Sequence, residues 1–454
     1  MDFNGKRIVV IGAGVSGIAA AEVLAGQGAM VTLNDAKPQS ALDAKGLNKL
    51  TSLGVNLILG QQDESVLNGQ NLVVISPGVS IYSPIIQTAE MKGLPVISEI
   101  EVAYQLCRAP ILAVTGTNGK TTTTALIGEI MRLAGRRTVV GGNIGAALSK
   151  EILVAGSCDV VVAEISSFQL ERVREFRPRV AAILNLTPDH LDRHRSMAEY
   201  KRVKERIFAR QTQDDCLVLN YDDLEVREMA SRARSRVCYF SRRNALPEGV
   251  FVSGERIVIS WNGMRYDVLN MGEMRIKGAH NVENALAATA VAFFAGAQPL
   301  DIAAALRSFA GVEHRIELVA TINGVEYYND SKATNPESSI KALEAFPGNL
   351  ILIAGGRDKH TDLSEMMRLV RQKVDHLILL GEAGERFEKA AIAAGVDNIH
   401  IVKDMAAAVA LSHKIARPPQ TVLLSPACAS YDMFKNYEER GRVFKDLVRS
   451  LISP

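Results

Sequence analysis

Residues 111–124 read ILAVTGTNGKTTTT, an apolar run that passes through two glycines into a Lys-Thr pair. The run has the character of a buried strand ending in a tight turn, and the stretch beyond Lys120 has helical character. Backbone N–H groups at such a helix start converge on phosphate, and the helix dipole adds favourable potential. Lys120 would then reach the β and γ phosphates of a nucleotide, and Thr121 would hold Mg2+. The whole turn, Gly116, Thr117, Asn118, Gly119, Lys120, Thr121 and Thr122, is the expected ATP cradle. Its spacing departs from the ordinary phosphate loop, which has a glycine where this chain has Val114.

Two further stretches repeat the strand-into-glycine pattern, RIVVIGAG at 7–14 and LILIAGGRDK at 350–359. Between the three, short Val/Ile/Leu runs alternate with Ala-rich helical stretches, the mark of parallel sheets flanked by helices. A chain of 454 residues exceeds one hydrophobic core. The expected fold is α/β with three open-sheet domains: Rossmann-like at both ends, and a central ATP-binding domain of P-loop type. The expected boundaries are 1–98, 99–311 and 312–454, the second set by Gly311 closing an Ala-rich helix that starts near Asn281.

Lys plus Arg number 52 against 50 Asp plus Glu, a formal charge of +2 that makes no electrostatic case for nucleic acid or an anionic membrane. Five scattered cysteines without a C-x-x-C pair suit a reducing cytoplasm. The apolar start at 8–24 carries embedded glycines, which favours strand, turn and helix over a signal peptide.

Two strand patterns follow the loop. DVVVAEISSFQLE ends a buried run at Glu164, and RVAAILNLTPDHLDRH is expected to end another near Asp189 and His190. In open parallel sheets ligands sit beyond the carboxyl ends of strands, so Lys120, Thr121, Glu164 and His190 are offered to one crevice. A carboxylate and a hydroxyl suit Mg2+; His190 is equally a loop hydrogen-bonder, since this ion favours oxygen.

The segments GTNGKTT, EISSFQLE, NLTPDHLDRH, GAHNVENALAA, EHRIE and DSKATNPES, in this order, resemble the ATP-dependent Mur ligases of bacterial cell-wall synthesis. SPGVS near the start and SPACASYDMFKNYEERG near the end point to the D-glutamate-adding branch. The resemblance spans essentially the whole chain. It implies an amide ligase in which a carboxylate takes the γ-phosphate of ATP and the acyl phosphate is then attacked by an amine. It implies UDP-N-acetylmuramoyl-L-alanine and D-glutamate as substrates, and a cytoplasmic monomer. It places two Mg2+ ions on Thr121, Glu164, His190 and Lys204, the last as the residue that the family carbamylates. Lys204 ranks above Lys201 by resemblance alone. Asn281, Arg315, Asp330 and Lys332 match nucleotide and phosphate contacts, although Asn281 also reads as a helix cap and Arg315 as a surface ion-pair partner.

Gly12, Gly14, Gly17 and Asp35 form a dinucleotide fingerprint that taken alone predicts NAD or FAD. The same turn grips any pyrophosphate, and the resemblance gives it to the uridine nucleotide, with Val15, Ser16, Asp35, Gly78 and Asn143 as contacts. Ala36 stands where relatives often carry a hydroxyl. Thr334, Lys359, Ser430 and Tyr437 match the positions that hold D-glutamate, Tyr437 replacing a frequent Phe. The seven-residue spacing of Ser430 and Tyr437 predicts one helix face. The rival readings are a dehydrogenase, a folylpolyglutamate synthetase, a sister Mur ligase and a non-catalytic nucleotide switch.

Overall fold

Five short strands open the chain: β1 (Arg7–Ile11), β2 (Met30–Asp35), β3 (Asn56–Leu59), β4 (Leu72–Ile75) and β5 (Val96–Ser98). They pair in parallel in the order β3-β2-β1-β4-β5. The computed structural model describes residues 1–143, 147–154, 160–276, 278–358 and 361–452. Alternation along β1 and β4 sends Ile8, Val10 and Val74 into one apolar cluster and Val9, Ile11, Val73 and Ile75 into another. A sheet buried on both faces needs such unbroken apolar strands. The order reverses at β1, so the crevice between the ends of β1 and β4 is the natural ligand position.

The helix Val15–Gly26 leaves β1 through Gly12 and Gly14. Gly17 lies against the Gly12 carbonyl so closely that a methyl group there would overlap it. Gly17→Ala is therefore expected to destabilise the chain by about 1–3 kcal/mol, read as a lower urea midpoint; an unchanged midpoint would reject this packing argument.

A nine-stranded sheet follows, built from β6 (Ile111–Thr115), β7 (Thr138–Gly142), β8 (Val160–Glu164), β9 (Val180–Ile183), β10 (Cys216–Asn220), β11 (Arg236–Ser241), β12 (Gly249–Ser253), β13 (Arg256–Trp261) and β14 (Met264–Asn270). Its order is β14-β13-β12-β11-β10-β9-β6-β8-β7, parallel from β7 to β12 and antiparallel at the far edge. The third sheet holds β15 (Glu317–Ile322), β16 (Val325–Asn329), β17 (Leu350–Gly355), β18 (Val374–Leu380), β19 (Ile399–Ile401) and β20 (Thr421–Leu424) in the order β15-β16-β20-β17-β18-β19, parallel except for the first pair.

The chain divides into two compact units: Met1–Met274 with Asn281–Phe309, which carries the first two sheets, and Arg275–His280 with Ala310–Pro454, which carries the third. Among the described residues no helix is long and apolar enough to cross a membrane.

Two helices differ from the sequence reading. The Ala-rich stretch is not one helix closing at Gly311 but two, Ala279–Phe294 and Pro299–Ser308. The break comes at Gly296, whose φ of +95° no helix accommodates, and Pro299 starts the second helix. Ser430 and Tyr437 do not share a helix face. The last helix starts at Tyr437, where the Asn436 side chain accepts from the Glu439 N–H as its cap, and Ser430 lies in the turns before it.

Candidate active site

Register brings three strand ends together: Val114 pairs with Glu164, and Thr115 with Ile183. The loop leaves β6 through Gly116 (φ +154°) and Gly119 (φ +84°), the latter directly before the helix Lys120–Leu133. A side chain at Gly119 would run into Asn284. Asn118 N–H donates to Asn185 Oδ1 (2.8 Å), Asn185 Nδ2 donates to Asn118 O (3.1 Å), and Thr117 Oγ1 accepts from Thr187 N–H (3.1 Å). The loop shape is thus held by the Asn185 side chain and the Thr187 backbone beyond β9, before any ligand is considered. Lys120 Nζ folds back to donate to the carbonyls of Gly116 (3.0 Å) and Thr117 (2.9 Å).

Glu164 is buried at the end of β8. Its Oε1 accepts from Asn143 Nδ2 (2.8 Å), and the Asn143 N–H donates to the Glu164 carbonyl (2.8 Å). Its Oε2 is buried with no hydrogen-bond partner among the described residues. A buried carboxylate oxygen left unpaired is costly, and a cation is the partner that such an oxygen lacks. Thr121, buried one residue beyond Lys120, lies in the first turn of the loop helix. This donor set fits Mg2+, which prefers oxygen.

Lys204, on the helix Met197–Glu205, is 1% exposed and donates from Nζ to Gly116 O (2.9 Å), with Nζ 4.5 Å from the Tyr200 ring centre. Burial, helped by the nearby Lys120 charge, pushes its pKa well below that of an ordinary lysine. Lys201 instead reaches Glu225 (2.7 Å), so of the two lysines it is Lys204 that faces the loop.

His190 lies farther along than the sequence reading placed it. β9 stops at Ile183, and 184–190 form the loop that carries Asn185 and Thr187 to the phosphate turn. His190 itself adopts φ +53° before the short helix Leu191–His194, half-exposed, with Nε2 3.4 Å from Asp189 and its ring 4.8 Å from Phe168. Asn281 Oδ1 accepts from Asn284 Nδ2 (3.2 Å), and Asn284 Oδ1 from Thr123 Oγ1 (3.3 Å), so the helix that starts at Ala279 packs against the loop helix. Asn284, Asn185 and Tyr200 escaped the sequence reading. Asn284 stands one turn after Asn281 and Tyr200 one turn before Lys204, a spacing that could have revealed both.

At the first sheet, Asp35 accepts from the Ala13 N–H (Oδ2, 2.7 Å) and the Lys37 N–H (Oδ1, 2.8 Å), tying the glycine turn to the end of β2. Val15 is exposed, Ser16 half-buried and Gly78 exposed. Gly12 and Gly14 both face Ser76, which follows β4, so Val15, Ser16 and Gly78 flank the β1/β4 crevice.

In the second unit Asp330 follows β16 and is buried, Oδ2 accepting from Ser425 Oγ (2.7 Å) and Oδ1 from the Ile316 N–H (3.3 Å). Burial pushes its carboxyl up to about 7, against the pull of Ser425 and Arg315. Arg440 donates to Ser331 Oγ (3.0 Å) and to the carbonyls of Ser331 (2.8 Å), Cys428 (3.1 Å) and Ala429 (3.3 Å), which shapes the turn that carries buried Ser430. Ser331 Oγ donates to Tyr437 O (2.8 Å), and Lys332 Nζ lies 5.8 Å from the Tyr437 ring centre. Asp330, Lys332, Ser430 and Tyr437 therefore gather beyond the ends of β16 and β20. Arg315 is half-buried beside the Ile316 that bonds Asp330, and Thr334 is half-buried just before the helix Pro336–Glu344. Lys359 lies outside the described residues.

The Asp330 environment has a pH consequence. From the ordinary value of 3.8 up to about 7 the folded chain keeps a proton that the unfolded chain releases. The stability tied to this group is thus complete below the lower value and drains away as pH rises through the upper one. Asp330→Asn is expected to raise the urea midpoint relative to the parent by an amount that grows across this window; parallel pH curves for the two proteins would reject it.

A phosphate loop beside a buried, half-satisfied carboxylate, in a chain of three open α/β sheets, is the equipment of an enzyme that activates a substrate with a nucleoside triphosphate. The family comparisons agree. Residues 6–98 match the Mur ligase MurD-like N-terminal domain, 114–292 the Mur ligase middle domain, and 314–428 the Mur ligase glutamate ligase domain. The chain belongs to the Mur ligase family, whose members are ATP-dependent and use Mg2+. It is 49% identical to the UDP-N-acetylmuramoylalanine–D-glutamate ligase of Pelotomaculum thermopropionicum, covering 99% of both chains. It is 46% identical to the ligase of that name from Caldanaerobacter subterraneus, over 99% of this chain and all of the other. The UDP-N-acetylmuramate–alanine ligase MurC of Thermotoga maritima shares the fold, with a TM-score of 0.62 at 20% identity over 98% and 100% of the two chains. MurF of Acinetobacter baumannii does so at 0.61 and 18%, over 92% and 91%. The match at 6–98 removes the dehydrogenase reading of the glycine fingerprint.

Proposed function

We propose that this chain joins D-glutamate to UDP-N-acetylmuramoyl-L-alanine at the expense of ATP, as a cytoplasmic monomer in peptidoglycan precursor synthesis, with domains at 1–98, 99–311 and 312–454. A carboxylate does not acylate an amine because its leaving group is oxide. Phosphorylation replaces that group. The L-alanyl carboxylate oxygen attacks the γ-phosphorus, the bond to the β–γ bridging oxygen breaks, and ADP leaves. The D-glutamate nitrogen then attacks the acyl carbon, and inorganic phosphate departs with the C–O electron pair as the amide forms.

The first step brings a carboxylate against a triphosphate, and the site residues supply the opposing charge. Lys120 serves the β and γ phosphates, the loop 116–122 cradles them, and Asn281, Arg315, Asp330 and Lys332 complete the nucleotide contacts. Thr121 and Glu164 hold Mg2+, with Glu164, His190 and carbamylated Lys204 serving a second ion; Mg2+ when bound supplies charge neutralisation at the phosphate oxygens. Val15, Ser16, Asp35, Gly78 and Asn143 serve the UDP-sugar, and Thr334, Lys359, Ser430 and Tyr437 the amino acid.

The observation that carries this reading is the unsatisfied Glu164 oxygen on the strand next to a loop whose Gly116 carbonyl accepts from both Lys120 and Lys204. The test incubates the protein with ATP, Mg2+, UDP-N-acetylmuramoyl-L-alanine and single amino acids, followed by mass spectrometry. A mass gain of one glutamyl residue with the D-isomer alone is expected. Product with another amino acid, or ATP hydrolysis without amide, would overturn it.

A further inference from the structure

Three residues past His190, Arg193 reaches back to the first sheet. Its Nε donates to Glu171 Oε1 (3.0 Å) and its Nη2 to the other Glu171 oxygen, a forked pair with a buried carboxylate. The same guanidinium donates from Nη1 to the Pro77 carbonyl (2.9 Å) and from Nη2 to the Val79 carbonyl (2.9 Å). The two carbonyls flank Gly78, above which lies open space, and Val79 touches the Gly12 turn. On its other face Arg193 lies 4.2 Å from the Phe168 ring centre, and Phe168 in turn packs on His190. A second tie runs alongside: the Arg195 guanidinium lies 3.6 Å over the Tyr82 ring, and the Tyr82 hydroxyl donates to Glu199.

We propose that Arg193 is a positioning residue that holds the 77–79 loop, the surface offered to the uridine diphosphate, in register with the Glu164–His190 end of the site. The proposal rests on the function given above. One substrate must reach from the β1/β4 crevice to the γ-phosphate, so its carboxylate can arrive correctly only if both anchoring points are fixed relative to each other. Glu171 closes the EISSFQLE segment that starts at Glu164, and Arg193 follows His190 by one helical turn. The guanidinium therefore joins two of the segments that carry expected metal ligands, those of Glu164 and His190, to the loop proposed to carry the sugar nucleotide. The guanidinium makes four bonds here, two of them a planar fork on Glu171; an ammonium, with three donors and no fork, cannot reproduce the set.

The test is Arg193→Lys, which keeps the charge and loses the fork, with Glu171→Gln as a second variant that keeps the arginine. Steady-state kinetics with UDP-N-acetylmuramoyl-L-alanine, ATP and D-glutamate each varied are set beside calorimetric binding of the UDP-sugar. A misplacement of about 1 Å is worth about 100-fold, so kcat/KM for the UDP-sugar is expected to fall by about that factor in Arg193→Lys and by less in Glu171→Gln. The KM for D-glutamate should stay within about two-fold of the parent, and the double variant should lose less than the product of the single losses, as partners in one network do. Equal rises in all three KM values, or an unchanged UDP-sugar term in both variants, would overturn the positioning role while the parent enzyme stays active. A parent chain that does not bind the UDP-sugar would remove the functional reading and this proposal together.

Discussion

Lys120→Ala is expected to lower kcat by about 1,000-fold, because it removes the charged donor proposed to serve the phosphoryl group in flight. The folded state should survive the change. Lys120 donates to the Gly116 and Thr117 carbonyls, and the Gly116 carbonyl retains Lys204 as donor. The loop itself is pinned by Asn185 and Thr187, not by its lysine. A thermal midpoint near that of the parent together with a collapsed kcat separates loss of chemistry from loss of structure. Near-normal turnover would reject the role of Lys120.

The strand-turn-helix around Lys120 was legible because each part is local: an apolar run, glycines where φ turns positive, and helix formers after them. The same holds for the glycine turn after β1 and for Glu164 at the end of β8. Longer extrapolations failed where a residue acts against distant neighbours. The strand expected to reach His190 stops at Ile183 because Asn185 and Thr187 leave it to hold the phosphate loop. Ser430 and Tyr437 have helical spacing, yet Asn436, which lies between them, caps a helix that starts only at Tyr437.

Lysine choice shows the limit most plainly. Lys201 and Lys204 sit on one charged helix and nothing local separates them; tertiary packing sends one to Glu225 and seals the other beneath Gly116. Arg193 was silent for the same reason, since its four acceptors come from two segments distant in the chain. A sequence reveals a site where one strand and its turn build it, and hides the groups that join one sheet to another.

Lys204→Met is expected to abolish most activity, by about 100- to 1,000-fold in kcat, and at the same time to stabilise the fold at neutral pH. The two effects share one cause. Sealing an ammonium away from water beside Lys120 disfavours its proton, so the folded chain gives up that proton at a pH where the unfolded chain retains it. Stability tied to Lys204 is therefore present above the ordinary lysine value of 10.5 and is lost as pH falls through the depressed folded value. Methionine, of similar length and uncharged, escapes that cost, and the gain in urea midpoint should shrink as pH rises toward the lysine range. The depressed pKa has a chemical use: it favours the neutral amine, which is the form that adds CO2, and the carbamate proposed above would put an anionic oxygen donor where a cation stood. Stripping CO2 from the buffer should therefore slow the parent enzyme and leave the residual rate of Lys204→Met unchanged. A variant that is less stable at neutral pH, or a parent indifferent to CO2, would reject the buried amine as the source of that ligand.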